Sequence, residues 1–306
     1  MAAELRREPM RILVPASSAN IGPAFDSAGL ALDIVDDLVA MITDDDGVLI
    51  EVAGEGAGSV ALDESHLVAR SMVLGFAAMD ANPHGFILRC NNAIPHGRGL
   101  GSSAAAIVGG LALARALVVD GDSLLPDAAL LQVAKSMESH PDNISAALYG
   151  GLIFAWTNES GSAGHIRLDL HPAIRPVIAV PASGLPTAEA RSALPLEVAF
   201  EDAAFNVARS ALLLHALTTE PAHLLEATSD RLHQNLRRSM YGPSLELVEA
   251  LRAAGVPAVI SGAGPSVLAL ASDATVGMVA GLAGALWRVS QVSVAGQGVR
   301  TVPIER

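Results

Sequence analysis

The chain has 306 residues, 51% hydrophobic and 17% charged, which is enough for one large domain or two lobes around a sizeable core. Its net charge of −13 and 3% aromatic content argue against nucleic acid, which needs a basic face and stacking rings. A single cysteine, Cys90, excludes an internal disulfide and a thiolate metal cluster, and it reads as a small core hydrophobe.

Residues 1–9, MAAELRREP, read as a short solvated tail without the apolar segment of a signal peptide. MRILVPA (10–16) predicts a strand. LVAMIT (38–43) and GVLIEVAG (47–54) predict two strands of a meander around the acidic turn Asp44-Asp45-Asp46-Gly47, a solvated hairpin tip. Apolar residues at helical spacing follow in SHLVARSMVLGFAAMD, with Ser65 as N-cap. GFILRCNNAIP predicts a strand, and helices are expected over about 102–119 and 127–137. The most hydrophobic run, Ala104 to Val119, is broken by Arg115 and too short to span a bilayer, so no membrane contact and a cytoplasmic location are expected.

After the helix stop at Gly150-Gly151, GGLIFAWT and RPVIAVPA predict strands. VAFEDAAFNVARSALLLHALT, AHLLEATSDRLHQNLRR and SLELVEALRAAG predict helices, the last ending at Gly255. VPAVISGAGPSVLALAS reads as strand, glycine turn, strand; VGMVAGLAGALWRV as a last helix; SVAGQGVRTVPI as a last strand. Mixed strand pairs and helices make the fold class α+β, with two lobes expected to meet near 160–170.

The stretch PHGRGLGSSAAA (95–106) carries the chemistry. A P-loop would need a lysine after its last glycine, but Gly101 is followed by Ser102 and Ser103. The spacing of Gly97, Gly99 and Gly101 does not match a dinucleotide fingerprint either. What remains is a glycine loop entering an alanine-rich helix. It reads as a phosphate cradle built on backbone N–H groups and a helix start, or as a tight turn with a serine N-cap.

These residues resemble the phosphate loop of the GHMP small-molecule kinases. VPASSANIGPAFDSAGLALD, ESHPDNISAALYGG, PTAEARSALP and SGAGPSVLAL are similar, in order, to further motifs of the homoserine kinases among them. The resemblance spans about residues 10–272. It implies a GHMP kinase fold: residues 1–165 as a lobe like the second domain of ribosomal protein S5, and 166–306 as a ferredoxin-like lobe contributing substrate contacts. The implied reaction moves the γ-phosphoryl group of ATP to the hydroxyl of L-homoserine, with Mg²⁺ present and a homodimer possible.

The resemblance also implies roles. Pro95, Gly97, Arg98, Gly99, Leu100, Gly101, Ser102, Ser103 and Ala104 would surround ATP, Arg98 facing solvent without a catalytic role, and His66 would lie near the adenine. Glu138 with Ser103 or Ser102 would hold Mg²⁺, which favours oxygen ligands. Asn20 and Asp26 would contact the amino acid, Asp26 meeting its ammonium. Arg191 and Arg237 would grip its carboxylate. His140, Asp142 and Thr187 would line the site, and Asn143 would orient the hydroxyl. Asp142 is assigned no general-base role, because a loose transition state asks little of a base. Gly262 and Gly264 read equally as a substrate-side turn or a plain hairpin. Four positions depart from the family pattern: Ala24 and Ser139 replace glycine, His66 replaces asparagine, and LHQNLR replaces LHQPYR. The Ala24 exchange would strain the loop if that position needs a positive φ.

Overall fold

The computed structural model describes residues 3–304. In chain order the first part holds β1 (Met10–Ala19), β2 (Ala28–Thr43), β3 (Gly47–Gly54), α1 (Leu67–Ala78), β4 (Gly85–Asn92), α2 (Ser102–Leu117), α3 (Gly121–Leu124), α4 (Asp127–Met137), α5 (Pro141–Tyr149), β5 (Leu152–Thr157) and β6 (Ala163–Leu168). The second part holds β7 (Arg175–Pro181), α6 (Thr187–Ser192), α7 (Phe200–Thr218), α8 (Leu224–Ala227), α9 (Arg238–Ala253), β8 (Ala258–Ile260), β9 (Val267–Ala271), α10 (Val276–Ala283), β10 (Trp287–Gln291) and β11 (Arg300–Val302).

The first sheet runs β11-β1-β2-β4-β3, with β5 on β2 and β6 on β5. The expected meander of 38–43 and 47–54 does not form. β4 inserts between the two strands, antiparallel to β2 and parallel to β3, so β3, α1 and β4 make a parallel crossover. Local alternation marks a strand but says nothing of its neighbour. The acidic turn is exposed as expected, arching past the start of β4. A Cβ on Gly85 would lie 2.3 Å from the carbonyl oxygens of Asp45 and Gly47.

α2 is buried on most of its faces, between the sheet and α1, which explains its alanines and glycines. A Cβ on Gly110 would lie 2.4 Å from the Val68 carbonyl oxygen of α1, and one on Gly109 2.6 Å from Leu38 of β2. The expected N-cap of α1 shifts by one residue. His66 takes that place without a side-chain cap bond, while Ser65 turns back to Asp63. The expected N-terminal tail is anchored from Ala3 onward: Leu5 bridges to Val118 and the Glu4 carbonyl accepts from Val119.

The second sheet runs β10-β7-β9-β8. Along β7, Ile178 and Val180 join the main core of the first lobe, while Val177 and Ala179 face a second core with α9 and α10. The main core of the first lobe therefore continues onto one face of β7 and joins the lobes. The last expected helix stops at Ala283, because Gly284 adopts φ +69°; Trp287–Gln291 then pairs with β7. The expected division at 165/166 crosses β6, and β11 returns to pair with β1, so the first sheet draws on both parts of the chain. Cys90 lies in the core, its thiol pushed up to about 12 by burial and by nearby Asp36.

Gly110→Ala is expected to cost about 1–3 kcal/mol by forcing α1 away from α2. Thermal unfolding followed by circular dichroism should show a melting temperature lower by several degrees.

Candidate active site

The glycine loop sits at the junction of both lobes, and its carbonyl groups are held on one side. The Gly97 oxygen accepts from Leu185 N–H at 2.8 Å, Arg98 from Ser266 N–H at 3.2 Å and Leu100 from Ser17 N–H at 3.0 Å. The Gly99 oxygen accepts from Ser261 Oγ at 2.6 Å. With the carbonyls so occupied, the N–H groups from Gly99 to Ala104 make no bond to protein among the described residues. They and the start of α2 form an anion cradle. Glycine is required at Gly99 (φ +72°), where a Cβ would lie 2.1 Å from the Ser261 oxygen. The chain's one lysine, Lys135, donates to Gly161 away from this loop.

Not every expected loop residue faces the cradle. Arg98 donates to the carbonyls of Pro181 (3.1 Å), His96 (2.8 Å) and Ala182 (2.5 Å). It staples the loop to the end of β7 and is half-buried, its donors directed to protein carbonyls. Pro95 lies with it beside a separate groove lined by Glu55, Trp287 and Arg288. Leu100 is buried beneath the loop and contributes backbone only.

The segment after β1 folds against the turn between β8 and β9. Asn20 (φ +70°) donates to the Gly262 carbonyl at 3.0 Å and accepts from Asp26 N–H at 2.9 Å, so its amide links two turns. Ala24 does not adopt a positive φ, which removes the expected strain; Asn20, Ile21, Gly22 and Asp26 take that conformation instead. Gly262 and Gly264 lie in the turn that closes the hairpin of β8 and β9, and Gly262 also lines the pocket.

One pocket gathers Asn20, Asp26, Ser102, Ser103, Glu138, His140, Asp142, Asn143, Thr187, Arg191, Arg237 and Gly262 from both lobes. Asp26 is paired with Arg191 at 2.5 Å, so without ligand the expected ammonium and carboxylate binders satisfy each other. Arg237 is 1% exposed; its Nε donates to the Ala190 carbonyl at 2.7 Å, and it makes no ion pair among the described residues. Both guanidinium groups lie over Phe25, at 5.2 and 5.7 Å from the ring centroid.

The acidic side of the pocket is equally ordered. Glu138 sits where α4 ends and accepts from His140 Nδ1 at 2.8 Å. Burial pushes its carboxyl up, but His140 and Arg191 outweigh that and hold it below the usual range. Asp142 is 2% exposed at the start of α5 and accepts from Asn143 N–H at 2.7 Å. Burial, with Asp26 and Glu138 nearby, raises its carboxyl to about 7 against the pull of that N–H and His140. Asn143 Oδ1 accepts from Ser17 Oγ at 2.8 Å, which leaves its amide N–H groups for the pocket. Ser139 reaches His140. Ionised Glu138 beside the serine hydroxyls and the phosphate cradle is a hard-oxygen set that fits Mg²⁺.

Next to Ser102 and Ser103 a further cavity of about 320 Å³ is lined by His66, His96, Val60, Leu67 and Asn92. His66 is 7% exposed and its Nδ1 has no partner among the described residues; burial, then His96, lowers its pKa, which favours the neutral ring. Asp36, in the wall of this cavity, accepts from Ala93 and Ile94 N–H and ties β2 to the segment leading into the loop.

Sequence reasoning missed Ser17, Phe25, Ser261 and the wrapping of 228–237. That segment was expected as helix. Instead Asp230 accepts from the N–H groups of Leu232, His233 and Gln234 and from Asn206, turning the chain so that Arg237 enters the pocket. An Asp that can bond N–H groups ahead of it was the available signal.

Residues 66–151 match the GHMP kinases N terminal domain and 209–277 the GHMP kinases C terminal domain. A homoserine kinase of Streptomyces avermitilis is 48% identical over 98% of this chain and 97% of its own length. That of Mycobacterium tuberculosis is 48% identical over 85% of this chain and 84% of its own. The crystal structure of homoserine kinase from Cytophaga hutchinsonii superposes with a TM-score of 0.83 at 23% identity, covering 99% of this chain and all of that one.

The folded protein holds the Asp142 proton up to about pH 7, while the unfolded chain releases it near the ordinary value of 3.8. The contribution of Asp142 to stability therefore falls as pH rises through that window. Asp142→Asn keeps an acceptor for Asn143 and buries no charge. Its melting temperature should exceed the parent's by several degrees at about pH 8, the gap closing towards about pH 4.

Proposed function

Because the chain belongs to the homoserine kinases of the GHMP kinase family, we propose that this pocket brings ATP and L-homoserine together and moves the γ-phosphoryl group to the side-chain hydroxyl. The products are O-phospho-L-homoserine and ADP. The observation that carries the reading is the pairing of an anion cradle with a pocket that sets the Asp26 carboxylate against two guanidinium groups, one of them without an acidic partner among the described residues. A zwitterion with a short alcohol arm fits that charge pattern.

In this reading the phosphates of ATP lie on the N–H groups of Gly99 to Ala104, with the adenine towards His66. The substrate carboxylate takes the guanidinium groups of Arg237 and Arg191, and its ammonium takes Asp26. One zwitterion thus replaces both halves of the Asp26–Arg191 pair at once and gives Arg237 a carboxylate to meet. The Asn143 amide donates to the hydroxyl oxygen and aims it at phosphorus. As the oxygen–phosphorus bond forms, the bond to the β-phosphate oxygen breaks with its electron pair leaving on ADP. The hydroxyl proton passes to a phosphate oxygen. Glu138 with Ser103 or Ser102 would hold Mg²⁺, which when bound neutralises charge on the phosphates. His140, between Glu138 and Asp26 (3.9 Å from its Nε2), keeps those two carboxylates apart. Among the described residues no helix is long and apolar enough to cross a membrane; we assign the reaction to the cytoplasm and expect a homodimer from the resemblance.

A second reading makes Asp142 the general base, favoured by its carboxyl near 7. Single-turnover phosphoryl transfer in Asp142→Asn separates the two. The first expects a loss below about a thousandfold; a greater loss with homoserine affinity intact assigns the base role to Asp142.

Charge-truncated substrates test the exchange of ion pairs. 4-Hydroxybutyrate and 3-aminopropan-1-ol each leave one pocket charge unpaired, and both should show kcat/KM lower than homoserine by more than about a hundredfold. In Asp26→Asn the penalty for 4-hydroxybutyrate relative to homoserine should shrink to less than about tenfold. Equal losses in parent and variant would contradict the assignment of Asp26.

A further inference from the structure

One buried side chain behind the pocket has no role above. His233 is fully buried, and its Nε2 lies 2.7 Å from the Gly22 carbonyl oxygen. Its Nδ1 lies 3.4 Å from Nη1 of Arg237, and its ring packs on Phe25 with centroids 5.0 Å apart. A carbonyl oxygen only accepts, so Nε2 carries the hydrogen. In the neutral ring Nδ1 is then an acceptor facing the guanidinium. A protonated ring would set N–H against N–H and cation against cation without water. Burial, the largest influence, and Arg237 both disfavour the charged ring, against Asp230 and the Gly22 carbonyl.

The partners of Arg237 are therefore neutral: the Ala190 carbonyl at Nε, the imidazole at Nη1 and the hydroxyl of Tyr241, which burial keeps protonated. Asp230, 3.7 Å from His233 Nε2, is the nearby acid, and its oxygens are engaged by Asn206 and by the N–H groups of Leu232, His233 and Gln234. A carboxylate in the place of His233 would orient the guanidinium equally well, but would consume its charge. We propose that His233 is a positioning residue for phosphoryl transfer: as the neutral Nε2–H tautomer it fixes the direction of Arg237 without neutralising it, reserving that charge for the carboxylate of the substrate. This rests on the reading of Arg237 given above and adds the group that keeps its charge available. Glutamine can reproduce the arrangement, its amide N–H donating to Gly22 and its amide oxygen accepting from Arg237.

The test uses the full chain with His233→Phe, His233→Gln, Arg237→Met and the double variant His233→Phe/Arg237→Met. His233→Phe should raise the KM for homoserine by at least about tenfold, with kcat and the KM for ATP within about threefold, and His233→Gln should recover most of the loss. In the Arg237→Met background, His233→Phe should add less than about twofold. Full additivity there, or equal changes in kcat and both KM values, would overturn the positioning role. An unchanged homoserine KM in Arg237→Met would instead sink the reading of Arg237, and with it this proposal. Should His233→Phe fail to fold, nitrogen-15 NMR of the parent decides. A neutral Nε2–H signature whose Nδ1 resonance moves on adding homoserine supports the proposal, and a Nδ1–H or protonated ring overturns it.

Discussion

A loop without a lysine must meet phosphate with backbone N–H groups, and a backbone turns those groups to one side only if its carbonyls are held on the other. Every carbonyl from Gly97 to Leu100 is so held, by donors from β1, from the turn between β8 and β9, and from the segment before α6. The anion cradle therefore exists only when both lobes are assembled. Arg98 reinforces the same junction by spending its charge on three carbonyls, and the core beneath β7 packs residues of both lobes together.

The second requirement is that charge remain available inside a poorly solvated pocket. Buried charges are stable only when matched, and the site matches them unequally. Asp26 and Arg191 neutralise each other until a zwitterion separates them, whereas Arg237 rests on neutral acceptors and the face of Phe25. Asp230 organises the turn behind this arrangement: it accepts from the N–H groups of Leu232, His233 and Gln234 and from Asn206. A carboxylate that organises backbone thus lies one layer behind the cation it presents.

Much of the site was legible because its chemistry is local. Gly99 and Gly101 of the loop, the serines opening α2, and Glu138, His140, Asp142 and Asn143 lie within spacings of a few residues, and these line one pocket. Arg98 and Pro95 were misplaced for the converse reason. A residue inside a phosphate-binding sequence can face away from the phosphate, and only its carbonyl partners on a distant strand reveal that. The helix expected over 222–238 failed similarly, since the N–H partners of Asp230 outweigh helical propensity in a buried turn. Ala24 shows the opposite case: the strain that a glycine-to-alanine exchange suggested is absent because the neighbouring Asn20, Ile21, Gly22 and Asp26 carry the left-handed backbone.

The sequence by itself determined most of the element types, the α+β class and the location of the loop, and its resemblance to the GHMP kinases supplied the charge signs of the substrate site. The first three follow from periodicity and turn chemistry, which need no long-range information. Tertiary structure alone decided that β4 separates β2 from β3, that β11 returns to β1, that Asp26 meets Arg191 across 165 residues, and that Arg237 keeps an unneutralised charge. Each depends on which groups satisfy one another once water is excluded, and that choice is made between segments far apart in the chain.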